Sequence, residues 1–371
     1  MTEKGGVSLI YFFTGFPGFI ARELIKELIK GDLPIKHIYL LILPNMKEKA
    51  VEELHSISTE VSFPIDKFST ITGDITKPNL GIPRELTSTL MESVHYVFHL
   101  AAVYDLAVDK ETAELINVNG TKNVNDFVRQ LDQLTRYVYF STAYVSGERK
   151  GRIYEAELKM NQTFKNHYER TKYEAEVLVK QQSSQVPTTI IRPGIVRGHS
   201  ETGETIKFDG PYFILHLLDR FRHSPFIPYI GKGEVEGNFV PVDYVIKASI
   251  YLSHFPSGAG KTYHLTDPAP FKMVEIYKML AYEYLGKVPK GRIPLTLADA
   301  SLRFPPLRKW LQVEREALPY FNCDSSYDCK VARKDLMQSQ IHCPGFDKTL
   351  STMVQFYREN KNDDDKYIKI Q

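Results

Sequence analysis

Val7-Ser8-Leu9-Ile10-Tyr11-Phe12-Phe13-Thr14-Gly15-Phe16-Pro17-Gly18-Phe19-Ile20-Ala21 sets an uninterrupted apolar run directly against a glycine-bearing turn. A run of that length predicts a strand buried on both faces. Beyond the turn, Ile20, Leu24, Ile25, Leu28 and Ile29 recur at helical spacing, with Gly31 as the stop. Strand, glycine turn and helix together turn a plain strand-to-helix bend into a phosphate-binding candidate. Gly15 makes the tight turn, Gly18 lets backbone approach a pyrophosphate, and Ala21 allows close helix–strand packing. Thr14, Gly15, Phe16, Pro17, Gly18, Phe19 and Ile20 are therefore the first candidates to hold a nucleotide.

Outward from this start the same alternation repeats. Strands are predicted at 37–43, 68–72, 94–100, 136–140, 188–191 and 263–266, with helices at 47–56, 110–131 and around Tyr168. Strands separated by helices predict an α/β fold with a parallel sheet and helices on both faces. Ligands in such sheets sit at the carboxyl ends of strands. Those ends carry Leu43, Asp74-Ile75, Leu100-Ala101-Ala102, Ser141-Thr142 and Arg192-Pro193-Gly194. After Gly194 the rhythm breaks into Gly, Pro and aromatic residues with a helical stretch at 213–221. Phe239 to Asp243 is expected to return to the sheet, with Asp243 capping the next helix. The expected organisation is a nucleotide domain at 1–199, completed by about 238–267, and a smaller, mainly helical substrate region at 200–237 and 268–358. A flexible tail is expected at 359–371.

Tyr168-Glu169-Arg170-Thr171-Lys172 bears the chemistry. Four residues apart on a helix, the phenol and the ammonium share a face. The ammonium is expected to lower the phenol's pKa and hold a ribose. The same spacing arises by chance on solvated helices, so its weight comes from the glycine turn and from the hydroxyls Ser141 and Thr142 upstream.

Composition excludes other classes. A net charge of +2 with dispersed basic residues gives no reason to expect nucleic acid. No apolar run reaches membrane-spanning length, no leader pattern is expected, and three cysteines fit a reducing compartment, the cytoplasm by default. Cys323, Cys329, Cys343 and His342 match no metal knuckle, and no metal is expected.

Thr14-Gly15-x-x-Gly18, Asn117-Val118-x-Gly120-Thr121, Ser141-Thr142, Tyr168-x-x-x-Lys172 and Arg192-Pro193-Gly194 occur in an order and at spacings that resemble the extended short-chain dehydrogenase/reductase superfamily over roughly residues 7–270. Gly73-Asp74-Ile75, His99-Leu100-Ala101-Ala102, Phe140 to Val145 and Val240-Pro241-Val242-Asp243 look like its fatty acyl-CoA reductase and thioester reductase branch. The resemblance implies a Rossmann-type doubly wound sheet and hydride transfer between a nicotinamide and a carbonyl or alcohol. Tyr168 would be the proton donor or acceptor, Lys172 the ribose ligand and Thr142 the carbonyl's partner, with Ser141 as fallback. Asn117 stands at the family's proton-relay position. Asp74 and Ile75 would flank the adenine; Pro193 and Gly194 would lie against the nicotinamide amide, and Val196 completes the cofactor set. His99 is expected to be a packed histidine near the cofactor.

Two departures bear on specificity. Leu43 stands where an acid would bind a ribose hydroxyl or an Arg a 2′-phosphate, and Lys47 and Lys49 follow it, so NADP is preferred over NAD. The chain is also shorter than many acyl-CoA reductases. The expected substrate is a small apolar molecule, a fatty acyl thioester or its aldehyde, with Phe213, Phe221, Phe226, Tyr229 and Phe304 as apolar walls. Residues 295–313 are expected to cover the site, with peripheral membrane contact as the other reading. A homodimer is an open expectation. The rival functions are a sugar-nucleotide epimerase or dehydratase and a binding protein that senses the cofactor without turnover.

Overall fold

The computed structural model describes residues 8–368, so Val7, expected to open the first strand, and the last three residues lie outside it. Seven parallel strands form the central sheet: β1 (Leu9–Thr14), β2 (Ile35–Ile42), β3 (Phe68–Thr72), β4 (Tyr96–His99), β5 (Arg136–Phe140), β6 (Thr188–Pro193) and β7 (Thr262–Leu265). Their order across the sheet is β7-β6-β5-β4-β1-β2-β3. The order reverses beside β1, where β1 pairs with both β2 and β4, and that switch point opens the ligand crevice.

The apolar strands are explained by what covers them. Tyr11 and Phe13 face a core shared with α1 (Phe19–Lys30), α2 (Lys47–Glu60) and α7 (Val242–His254). Ile10 and Phe12 face the opposite core, with α3 (Arg84–Ser93), the helical run α4 (110–128) and α5 (His167–Gln182). Successive side chains alternate between two buried faces, so no polar position is left. Each such Phe or Ile contributes about 1.5–3 kcal/mol by its burial. Helix α3 has no counterpart in the sequence reading.

A third core lies beyond Gly194. There Tyr212, Ile214 and Leu215 of α6 (Tyr212–Arg220) meet Ile276 and Leu280 of α8 (Met273–Leu285). The remaining helices are α9 (Leu295–Leu302), α10 (Pro305–Leu311), α11 (Lys330–Leu336) and α12 (Phe346–Asn360).

Three expectations are corrected. Phe239–Pro241 does not rejoin the central sheet; it pairs with Ile195–Arg197 in a separate two-stranded ribbon. Asp243 does not cap α7, because its carboxylate accepts from the Ser200 amide (2.8 Å) and hydroxyl (2.7 Å). Of the expected loose tail, the part described to residue 368 is tied down: α12 runs to Asn360, Lys361 Nζ reaches Asp219 at 2.8 Å, and the Tyr367 ring stacks on His216 at 4.9 Å.

Candidate active site

The glycine turn is built by close approach. Gly15 has φ of +88°, and a Cβ there would lie 2.8 Å from the Ala101 amide nitrogen and 2.9 Å from the Leu100 carbonyl carbon. A side chain at Gly18 would meet the Gly15 carbonyl oxygen at 2.7 Å. Gly18 is also the N-cap of α1, with no capping side chain and no acid in the first turn. The amides and the positive end of the helix dipole thus face a ligand without an internal competitor, which suits a pyrophosphate. Phe16 is buried in the core at 4 % exposure, so only its backbone belongs to this cradle.

Thr14 locks the turn to the end of β4. Its Oγ1 accepts from the Leu100 and Ala101 amides at 3.2 Å each, which sends its own hydrogen to His99 Nδ1 at 2.8 Å. His99 Nε2 then donates to Thr121 Oγ1 at 3.1 Å. Burial, with the Lys172 charge adding to it, pushes His99 down to about 3, so the ring stays neutral. The Thr14–His99–Thr121 line is a packed support, and its linkage was not legible from spacing.

On the adenine side, Asp74 Oδ1 accepts from the Thr76 amide at 2.8 Å. Ile75 is buried beneath Gly120, where a Cβ would approach its Cδ1 to 2.6 Å, and Asn123 Nδ2 holds its carbonyl at 2.8 Å. Leu43, just past the end of β2, is 44 % exposed, with Lys47 and Lys49 exposed on α2. Arg22, nearby on α1, pairs with Glu53 at 2.9 Å.

Tyr168 and Lys172 lie one turn apart on α5, whose N-cap Asn166 accepts from the Glu169 amide at 2.9 Å. Thr142 follows β5, and its Oγ1 caps the next turn by accepting from the Tyr144 amide at 3.3 Å, close enough to Tyr168 to act on its phenol. Lys172 Nζ donates to the Phe140 carbonyl at 2.6 Å and sits 4.6 Å above the Tyr139 ring. Burial raises the Tyr168 phenol to about 12, partly relieved by its hydrogen bond with Thr142. Burial likewise lowers Lys172 to about 7, against the pull of Glu176. Desolvation presses both groups toward their neutral forms, the opposite direction to the lowering expected from the ammonium.

Neighbouring candidates separate by role. Ser141 Oγ donates to Glu176 Oε2 at 2.6 Å, and Glu176 is bound through Arg192 Nη2 at 2.6 Å, both members of that ion pair being buried. Ser141 and Arg192 thus serve a strut beneath the site. Asn117 lies in a π-helical turn (Glu114–Asn119). Its Oδ1 accepts from the Val103 amide at 2.9 Å, and its Nδ2 donates to the Val103 carbonyl (3.1 Å) and to Thr171 Oγ1 (3.0 Å). Its side-chain amide holds the 103 loop to α5. Pro193 ends β6 buried, and Val196 follows half-buried. A Cβ at Gly194 would stand 2.7 Å from Asn238 Oδ1, so the crossing of that chain also demands glycine there. Glu176 was legible as the i+4 neighbour of Lys172. Tyr320 was not: its hydroxyl donates to Glu169 Oε1 at 2.7 Å, tying the 315–322 segment to the residue beside Tyr168. Phe226 and Phe304, expected as pocket walls, are each 63 % exposed.

With this geometry in place, the profile of the male sterility protein family, an NAD-binding domain, matches residues 13–249. The chain belongs to the male sterility protein family. This family member is similar to the fatty acyl-CoA reductase wat of Drosophila melanogaster, 27 % identical over 271 residues, 64 % of this chain and 52 % of that protein. It is also similar to the alcohol-forming fatty acyl-CoA reductase of Simmondsia chinensis, 26 % identical over 357 residues, 74 % of this chain and 70 % of that one. The chain spans about half the length of the Drosophila relatives it matches. The terminal R domain from the myxalamid PKS-NRPS biosynthetic pathway shares the fold, with a TM-score of 0.80 at 24 % identity over 96 % of this chain and 92 % of that one. The male sterility family chain thus has the doubly wound α/β architecture that its motifs predict, and the curated relatives it matches include fatty acyl-CoA reductases. Among the described residues no helix is long and apolar enough to cross a membrane.

Proposed function

We propose that this male sterility family chain is an NAD(P)(H)-dependent oxidoreductase acting on the carbonyl or alcohol of an apolar substrate, a fatty acyl thioester or the derived aldehyde, with NADP preferred. The observation that carries this reading is the placing of Tyr168 and Lys172 one turn apart on α5, with Lys172 Nζ held by the Phe140 carbonyl at the carboxyl end of β5, next to Ser141 and Thr142. A bound nicotinamide dinucleotide supplies or receives the hydride. Gly15, Gly18 and the first turn of α1 hold its pyrophosphate. Thr142 orients the carbonyl oxygen, and Tyr168 gives it a proton as charge develops there. A phenol raised to about 12 keeps that proton until the oxygen becomes basic. Lys172, lowered to about 7, changes charge in the neutral range, so the approach of an anionic dinucleotide favours its ammonium form and steadies the ribose. Glu176, one turn further on, supports the same form. The NADP preference draws on Leu43 in place of a ribose-binding acid and on Lys47 and Lys49 beyond it.

The test is NADPH and NADH oxidation by the purified chain with long-chain acyl-CoA and aldehyde substrates. Turnover of either with NADPH, lost in Tyr168→Phe, is expected. Reduction of a steroid or flavonoid ketone with no activity on the acyl compounds would remove the substrate assignment. Absence of dinucleotide binding by titration would remove the whole reading.

A further inference from the structure

Helices α9 and α10 turn one face inward and leave the other bare. Leu295, Ala298, Leu302 and Leu311 pack with Phe213, whereas Leu297 (57 % exposed), Phe304 (63 %) and Trp310 (48 %) face outward. Phe221, at the end of α6, meets Trp310 edge-on with ring centroids 6.0 Å apart. The loop that follows carries Phe226 outward, and Lys287 Nζ pins it through the Arg222 and Ser224 carbonyls at 2.7 and 2.9 Å. Large apolar side chains gathered on one exposed corner mark a contact surface.

The charge around them says what kind. Between Gly286 and Val313, Lys287, Lys290, Arg292, Arg303, Arg308 and Lys309 stand against one acid, Asp299. That acid is already engaged by Arg315 at 2.7 Å and Arg303 at 3.3 Å. From the adjoining helix end, the Arg220 guanidinium lies 5.8 Å from the Trp310 ring centre. The whole chain carries only +2, so positive charge is concentrated here. Aromatic and leucine side chains within a field of Lys and Arg match the boundary of an anionic bilayer, where rings sit at headgroup level and cations meet phosphate and carboxylate.

We propose that α9, α10 and the 221–226 loop form a docking surface for an anionic lipid bilayer. Leu297, Phe304 and Trp310 enter the boundary between headgroups and acyl chains, and Arg220, Arg303 and Lys309 hold the headgroups. The inference does not depend on hydride chemistry. The cap that bears this surface continues to Tyr320 and its tie to Glu169, so docking also bears on the helix that carries Tyr168.

Trp310 is the single tryptophan of the chain, so its emission reports the contact directly. The full chain is mixed with phosphatidylcholine vesicles with and without phosphatidylserine, and fluorescence and co-sedimentation are followed. A blue shift and sedimentation with the phosphatidylserine vesicles, reversed by high salt, are expected. Arg303→Glu with Lys309→Glu should weaken binding on the order of tenfold or more. Phe304→Ser should remove sedimentation while leaving thermal unfolding unchanged, because Phe304 is exposed. Lys122→Glu, a reversal on the solvent-facing side of α4, should have no effect. The proposal is overturned by three results: no shift or sedimentation at low salt, equal weakening by Lys122→Glu, or an emission shift that follows self-association in sedimentation velocity and ignores vesicles.

Discussion

The nucleotide half hangs its chemistry on strands covered on both faces, while the region beyond Gly194, apart from edge strand β7, has no strand pairing longer than three residues among the described residues. That second region holds itself by side chains. His216 bonds Tyr357 at 3.0 Å, Asp219 takes Tyr284 at 2.6 Å and Lys361 at 2.8 Å, and Arg358 reaches the Tyr284 carbonyl at 2.9 Å. A regular sheet sets atoms at its strand ends with little freedom, whereas a cap pinned by side chains adapts its shape. Changes in the first half should therefore strike the chemistry, and changes in the second should strike substrate fit.

The sharpest way to break this contrast is Tyr168→Phe. Turnover should fall by roughly a hundredfold to ten-thousandfold, with dinucleotide affinity unchanged in a fluorescence titration. Retained turnover would mean that the proton comes from outside the strand-end cluster. Next comes Glu176→Gln, which leaves the buried Arg192 guanidinium facing a neutral amide. Denaturant unfolding should show a loss of about 3–5 kcal/mol. Tyr320→Phe removes the donor to Glu169 and should reduce stability by about 1–3 kcal/mol. It should raise the substrate KM more than it lowers kcat, as loosening of the cap requires. An equal loss in kcat alone would place Tyr320 with the strand-end chemistry.

The smallest effect is one of pH. Burial raises Glu155 to about 7, Asp209 to about 6 and Glu314 to about 7. Each folded value exceeds the unfolded one, so the folded chain binds more protons across that interval. What these three carboxyls add to stability should accordingly be full below the ordinary carboxylate range and be lost as pH rises to about 7, opposed over part of that interval by His99, His216 and His264, which burial holds neutral. Denaturant midpoints measured against pH for the chain and for Glu155→Gln isolate the share of that carboxyl, which should shrink as pH rises to about 7. A difference between the two that does not change with pH would show Glu155 ionised inside the fold.

Much of the sheet was legible because burial on two faces writes itself as unbroken apolar runs. Helix α3 was not, since Leu86, Leu90 and Met91 are sparse among Glu85, Thr87, Ser88 and Thr89. Phe239–Pro241 has the same apolar look in a detached ribbon as in a sheet. Asp243 looks like a cap because nothing local reveals Ser200 as its partner. At the site, Ser141 and Thr142 are neighbours at a strand end, so they take opposite directions, one into the Glu176–Arg192 pair and one toward Tyr168. Sequence order alone does not say which goes where. The balance of burial against charge at Tyr168 and Lys172 is likewise invisible until the surrounding atoms are placed.

The π turn at Glu114–Asn119 carries a surplus residue compared with an ordinary helix. Excising one residue there would return the helix to regular winding while the turns on either side keep about their present phase. What is lost is local: from within the widened turn, the Asn117 side chain holds Val103 and Thr171. A deletion at this point therefore costs a contact, whereas one elsewhere along α4 would turn its two ends against each other by about 100°.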